Sequence, residues 1–103
     1  MRVAIGADHA GYNLKAPLTK FLQDIGHQPL DIGAYALEPL DDYPDFAKAV
    51  AESVLSGNAN RGVVICGSGV GASVAANKIV GIRASTCHDI YSASQGVQDD
   101  DMN

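Results

Sequence analysis

A cysteine, a serine and three glycines lie within six residues, Cys66–Gly71, which we call the glycine loop. An apolar run, Gly62–Ile65, precedes the loop and a run of small residues, Ala72–Lys78, follows it. A strand, a glycine loop and a helix in this order direct backbone N–H groups toward an anion. A thiol becomes a base or nucleophile when it ionises, and a helix N-terminus lowers its pKa from the usual value of about 8.5. We therefore expect Cys66 to be the more reactive thiol.

The glycine loop differs from the common phosphate-binding and nucleophile motifs. It matches neither G-x-G-x-x-G nor G-x-x-x-x-G-K-[ST]. It also departs from G-x-S-x-G, because Cys66 stands at the first glycine position. A buried cysteine in a tight turn between a strand and a helix explains the same residues without any chemistry. The loop alone supports the structural and the functional interpretation equally.

Composition limits the class of protein. The chain has 103 residues, 47% of them hydrophobic, and a net charge of −5, which indicates one domain over residues 1–103 with a modest core. The absence of a basic patch argues against nucleic-acid and membrane partners, and no apolar run is long enough to cross a bilayer. Two cysteines without a secretory signal indicate free thiols and a cytoplasmic protein.

Short apolar runs alternate with longer amphipathic stretches. The runs predict strands at 2–6, 29–32, 61–65 and 81–87, and a helix is expected after each of them. This alternation predicts an α/β fold, a three-layer αβα sandwich with a Rossmann-like parallel sheet of at least four strands. Ligands bind at the carboxyl ends of such strands, so the polar residues that follow the strands are expected on one rim. They are Asp8, His9, Cys66, Ser68 and His88.

Six motifs occur in order along the whole chain. They are Gly6–Gly11, Asp42–Pro44, Cys66–Gly71, Ala75–Lys78, Gly81–Arg83 and Cys87–Ala93. Together they resemble the ribose-5-phosphate isomerase B family, which includes galactose-6-phosphate and allose-6-phosphate isomerases. The resemblance implies an aldose–ketose isomerase that converts ribose 5-phosphate to ribulose 5-phosphate, in the pentose phosphate pathway, through an enediolate. It also implies a sugar-phosphate ligand, no metal or other cofactor, and a homodimer or larger assembly.

The same resemblance implies roles for single residues. Cys66 is the base that moves a proton between C1 and C2, Ser68 passes a proton between the sugar oxygens, and Asp8 assists ring opening. The amides of Gly69–Gly71 are expected to stabilise the enediolate oxygen. The other substrate-binding residues implied are His9, Tyr43, Gly67, Val70 and Asp100, in addition to Asp8 and Ser68.

The acidic tail departs from the family pattern. Asp99 stands at the position of the family's ring-opening histidine, and family members continue into a fifth strand and into arginines that hold the phosphate. A chain of 103 residues is therefore expected to be a poor isomerase. The alternative function is a catalytically impaired, isomerase-like sugar- or anion-binding module or subunit partner. Cys87 is expected to be a buried structural thiol. Asp41, Asp42 and Asp45 are expected to lie in a loop and at the start of a helix, where the helix dipole favours them.

Overall fold

The computed structural model describes all residues, 1–103. Three strands alternate with helices, as the apolar pattern predicts. In chain order the elements are β1 (Arg2–Ala7), α1 (Tyr12–Asp24), β2 (Gln28–Gly33), α2 (Tyr43–Leu55), β3 (Arg61–Ile65), α3 (Val70–Asn77) and α4 (Ile90–Asp100). None of these helices combines the length and apolar character that crossing a membrane requires.

The sheet is parallel and has the order β2-β1-β3. In its register Ile5 of β1 lies between Asp31 of β2 and Val63 of β3. The central strand β1 is almost entirely buried. Pro29 lies in β2, which is an edge strand, and a residue without a backbone N–H is tolerated at an edge.

Helices α1 and α2 cover opposite faces of the sheet. On one face two glycines make room for α2, because a Cβ at Gly6 or Gly62 would lie 2.7 or 2.6 Å from the methyl groups of Val50. Ile65 belongs to the opposite face, since side chains alternate along a strand, and its Cγ2 lies against Gly11, just before α1. This arrangement gives the three layers that the sequence predicts.

The fourth strand predicted at 81–87 is absent, so the sheet has three strands rather than at least four. Residues 82–88 have no regular secondary structure. The backbone of Asn103 lies between this segment and β3. Its N–H donates to the Arg83 carbonyl at 3.0 Å, and its carbonyl accepts from the Gly62 N–H at 2.9 Å. The segment therefore lies too far from β3 to pair with it, and it has no other strand as a neighbour.

Candidate active site

Asp8 and Cys66 follow neighbouring strands and are in direct contact. The Cys66 thiol donates a hydrogen bond to Oδ2 of Asp8 at 3.2 Å, and the Gly11 N–H donates to Oδ1 at 3.0 Å. Asp8 is only 4% exposed, so its carboxylate is held through both oxygens in a largely dry position. The structure thus brings together two residues that are 58 positions apart in the sequence.

Gly11 allows this close approach. A Cβ at this position would lie 2.2 Å from the carbonyl oxygen of Ile65, the last residue of β3. The turn after β1 therefore packs directly on the end of β3, and the Gly11 N–H reaches the Asp8 carboxylate from this position. Glycine is required here by the lack of space rather than by an unusual backbone angle.

The pKa of Cys66 changes in the direction opposite to the one expected from the helix N-terminus. Burial of the thiol raises its pKa, and the hydrogen bond to Asp8 and the charge of that carboxylate raise it further. The hydrogen bonds of the Gly67 and Gly69 amides lower it by a smaller amount. The expectation of a lowered pKa is therefore wrong, because burial of the thiol and its contact with a carboxylate outweigh the helix terminus.

We predict that Cys87 is alkylated faster than Cys66 at pH 7. Cys87 is exposed, whereas Cys66 is half-buried and its raised pKa keeps it protonated. The labelling rate of Cys66 should rise about tenfold per pH unit until the pH reaches that raised pKa. Timed iodoacetamide labelling with mass spectrometry measures both rates.

The variant Asp8→Asn serves as the control for this labelling experiment. It keeps the shape of the side chain and removes the charge that opposes ionisation of Cys66, so Cys66 should be labelled faster than in the parent protein. Faster labelling of Cys66 than of Cys87 in the parent protein at pH 7 would contradict the prediction.

The glycine loop is partly exposed, at Gly67, Ser68 and Val70, and lies beside Tyr43. Gly69, the N-cap residue of α3, has a φ of 83°, a left-handed conformation that favours glycine. The Ser68 hydroxyl accepts a hydrogen bond from the Val70 N–H at 3.3 Å. A Cβ at Gly71 would lie 2.6 Å from Cζ of Tyr43, so the tyrosine ring packs directly on the loop. Tyr43 and the predicted loop residues thus form one surface next to Cys66.

His9 forms a pair with Asp41, a residue that the sequence indicated only as part of a helix start. Asp41 Oδ1 accepts from the His9 backbone N–H at 3.0 Å and lies 2.8 Å from Nδ1 of the ring. The Asp41 side chain is 10% exposed, and its Oδ2 is buried without a hydrogen-bond partner. Desolvation opposes ionisation of Asp41, but the hydrogen bonds from His9 outweigh it and lower the pKa of Asp41.

The loop that carries Asp41 is attached to α1 through a buried lysine. Lys15 is 6% exposed; its ammonium group donates to Asp31 at 2.7 Å and also to the Ala34 carbonyl. The sequence gives no indication that Lys15 and Asp41 form these contacts, because their partners are distant along the chain. Lys15 lies in an ordinary helix and Asp41 in an ordinary loop. The Lys15–Ala34 and His9–Asp41 contacts both depend on the course of the loop between β2 and α2.

Asp99 and Asp100 are not brought to Cys66 within this chain. Both are exposed on α4, and Asp100 lines a separate polar cavity of about 320 Å³ with Asn77 and Arg83. The predicted participation of these two residues in an active site therefore stays a prediction. No group of three or more His, Cys, Asp or Glu side chains is arranged to hold a metal ion.

A larger cavity of about 780 Å³ borders the site. It runs along β3 and is lined by Cys66–Gly69 on one side and by Thr86, Cys87 and His88 on the other. Cys87 is exposed to this space rather than buried as predicted, since no strand fills the position beside β3. His88 lines the same cavity and thus lies at the rim of the sheet, where the sequence predicted it.

Comparison with known proteins assigns the family. A family described as Ribose/Galactose Isomerase matches residues 3–103. This chain belongs to that family. The chain is similar to D-erythrulose-4-phosphate isomerase 2 of Mycolicibacterium smegmatis, with 42% identity over 94% of this chain and 65% of the relative.

Solved structures of the family have the same fold. Ribose-5-phosphate isomerase B of Clostridium thermocellum is 48% identical, with a TM-score of 0.95 over 100% of this chain and 69% of that chain. The Mycoplasma genitalium ribose-5-phosphate isomerase B, solved with bound ribulose 5-phosphate, is 35% identical, with a TM-score of 0.91 over 99% of this chain and 68% of that one. The chain thus spans about two thirds of the length of these relatives.

Proposed function

We propose that this protein is an aldose–ketose isomerase that interconverts ribose 5-phosphate and ribulose 5-phosphate in the cytoplasm. The observation that carries the proposal is the contact of the Cys66 thiol with the buried Asp8 carboxylate, beside the glycine loop at the start of α3. A thiol, a carboxylate and an oxyanion site are the groups that proton transfer next to a carbonyl requires. The ribulose 5-phosphate bound to the Mycoplasma genitalium relative supports the choice of substrate.

In the proposed reaction Asp8 acts first and Cys66 second. The Asp8 carboxylate accepts the proton of the anomeric hydroxyl, the bond between C1 and the ring oxygen breaks to give the aldehyde, and the ring oxygen takes up that proton from Asp8. The Cys66 thiolate then removes the proton from C2, and the electrons of that C–H bond form the double bond of the enediolate while O1 becomes negative. Transfer of a proton from O2 to O1 through Ser68 and return of the Cys66 proton to C1 give the ketose.

The backbone at the start of α3 would stabilise the enediolate. The amides of Gly69, Val70 and Gly71 are among the first N–H groups of a helix, which have no partner within the helix. Preorganised donors of this kind are usually worth about 3 kcal/mol of transition-state stabilisation each. In this proposal Gly67 lets the sugar approach the main chain, and Tyr43 forms the wall opposite the loop.

His9 is proposed to contact the phosphate or a hydroxyl group, and Asp41 to position it. We predict that Asp41→Ala raises KM for ribose 5-phosphate about three- to tenfold, the effect of losing one oriented hydrogen bond, with little change in kcat. Steady-state kinetics measure both constants. Asp45→Ala is the matched control, because this exposed carboxylate at the same helix start does not contact His9. A decrease in kcat with KM unchanged would contradict a positioning role.

A catalytically impaired binding module is the second candidate function. Asp99 and Asp100 are exposed and lie away from Cys66, which favours the binding module for a single chain acting alone. A homodimer, in which a second copy supplies missing groups, is proposed as the active form. Apolar side chains exposed on α1, namely Leu14 at 58% and Phe21 at 57%, are consistent with such contact. Light scattering at micromolar concentration tests it.

Proton exchange tests the proposed function directly. The purified chain is incubated with ribose 5-phosphate in D₂O, and NMR follows both the formation of ribulose 5-phosphate and the entry of deuterium at C1 of this product. Isomerisation with exchange supports the isomerase. Binding of ribose 5-phosphate without exchange would overturn it in favour of the binding module.

A further inference from the structure

We propose that Lys15 is a positioning residue for the candidate active site, because it fixes the start of the loop that carries Asp41 and leads to Tyr43. This loop, residues 34–42, connects β2 and α2. Lys15 is the one buried residue of α1, and a lysine is almost never buried unless its charge is paired. Its effect on substrate binding rests on the proposed function, whereas its effect on the loop does not.

The Lys15 ammonium group contacts residues on both sides of the end of β2. It donates to Oδ1 of Asp31 at 2.7 Å and to the Ala34 carbonyl. The same carboxylate oxygen accepts from the Gly33 N–H at 3.0 Å. The centre of the Tyr35 ring lies 5.4 Å from the ammonium nitrogen, which is within the range of a cation–π contact. One buried charge therefore holds the strand and the first two residues of the loop together.

These contacts fix the direction in which the chain leaves β2. The Ala34 N–H donates to the Ala7 carbonyl at 2.8 Å, so β1 holds one side of Ala34 while Lys15 holds its carbonyl on the other. Because a peptide group is planar, holding this carbonyl also orients the N–H of Tyr35 and the chain that follows. An apolar side chain could fill the same space, but it could not bind a carbonyl.

The rest of the loop has little other support until Asp41. Residues 35–40 are exposed, and no hydrogen bond joins residues 36–40 to a part of the molecule outside the loop. The next attachment is the contact of Asp41 with the backbone N–H and the ring of His9. The position at which the Asp41 carboxylate meets His9 therefore depends on where the loop begins, and Lys15 sets that point.

The ring of His9 reports the position of the loop without any assay of activity. Because Asp41 is a carboxylate, its bond to the ring requires the proton on Nδ1. Asp41→Ala removes this bond and should shift the Nδ1 nitrogen resonance of His9, and Lys15→Met should shift it in the same direction. Lys20→Met is the matched control and should leave the resonance unchanged, because Lys20 lies on the same helix and forms an exposed pair with Asp24.

Steady-state kinetics test whether Lys15 acts through Asp41. Lys15→Met should raise KM for ribose 5-phosphate about three- to tenfold with little change in kcat, as expected for Asp41→Ala. The double variant should raise KM no more than the stronger of the two single variants, because both disturb the same contact. Effects on KM that multiply in the double variant would show that Lys15 acts by another route and would overturn the proposal.

A second variant covers the case in which Lys15→Met does not fold. Asp31 is 46% exposed and remains solvated without the lysine, so Lys15→Met leaves no buried charge unpaired and should fold. If it does not, Asp31→Asn removes the charge that pairs with Lys15 and should shift the His9 resonance in the same direction by a smaller amount.

The outcomes separate the positioning role from the proposed function. A His9 resonance that is unchanged in every folded variant of Lys15 and Asp31 would overturn the positioning role, whether or not the chain is active. A shifted resonance in a chain whose parent form does not isomerise ribose 5-phosphate would support the effect of Lys15 on the loop and overturn the proposed function alone.

Discussion

Replacing Cys66 with alanine should lower the rate of ribose 5-phosphate isomerisation by about 10²–10⁴-fold, the usual contribution of a positioned base. The alanine side chain has no group that can take the C2 proton, while the glycine loop and Asp8 remain in place. Cys66→Ser should lose nearly as much, because the hydroxyl keeps the hydrogen bond to Asp8 but does not ionise near neutral pH. Ketose formation and deuterium entry at C1 of the ketose should fall together in both variants.

The pH dependence gives a second readout of the same residue. Because burial and the Asp8 carboxylate raise the pKa of Cys66, the thiolate fraction and the rate should still be rising above pH 8.5, about the usual value for a thiol. Cys87→Ala is the matched control and should retain the parent rate, since this exposed thiol takes no part in the proposed proton transfer. Retention of more than about a tenth of the rate in Cys66→Ala would exclude Cys66 as the base.

Gly11→Ala should destabilise the protein by about 3 kcal/mol or more, the upper range for overpacking. The new Cβ would lie 2.2 Å from the Ile65 carbonyl oxygen, and this atom belongs to the backbone, which cannot rotate away. Relief of the collision must separate the turn after β1 from the end of β3. The Gly11–Asp8 hydrogen bond and the Asp8–Cys66 contact should therefore weaken together. Urea unfolding measures the loss of stability.

Gly26→Ala provides the comparison for this prediction. Gly26 has a φ of +91° and no atom within 4 Å of the added Cβ, so alanine meets backbone strain there without any collision. A left-handed residue usually costs about 1–2 kcal/mol, which should make this variant clearly more stable than Gly11→Ala. Equal urea midpoints for the two variants would mean that the space at Gly11 is not the limiting factor.

The sequence by itself determined the class of fold and its three described strands. Apolar runs of four or five residues that alternate with helical stretches leave little besides a parallel sheet with helices on both faces, because crossover connections are right-handed. The same pattern placed Asp8 and Cys66 at the carboxyl ends of strands. Their direct contact is a consequence of β1 and β3 being neighbours.

Only the tertiary structure determined that the segment 81–87 forms no strand and that the pKa of the Cys66 thiol is raised. That segment has the composition of a strand, but a strand needs a hydrogen-bonded neighbour, and Asn103 separates it from β3. The pKa of Cys66 depends on burial and on a carboxylate that follows another strand, and the Asp41–His9 pair depends on the course of the loop between β2 and α2. Apolar periodicity is a local property of the chain, whereas these contacts join residues 20 to 58 positions apart. Their geometry is set by packing.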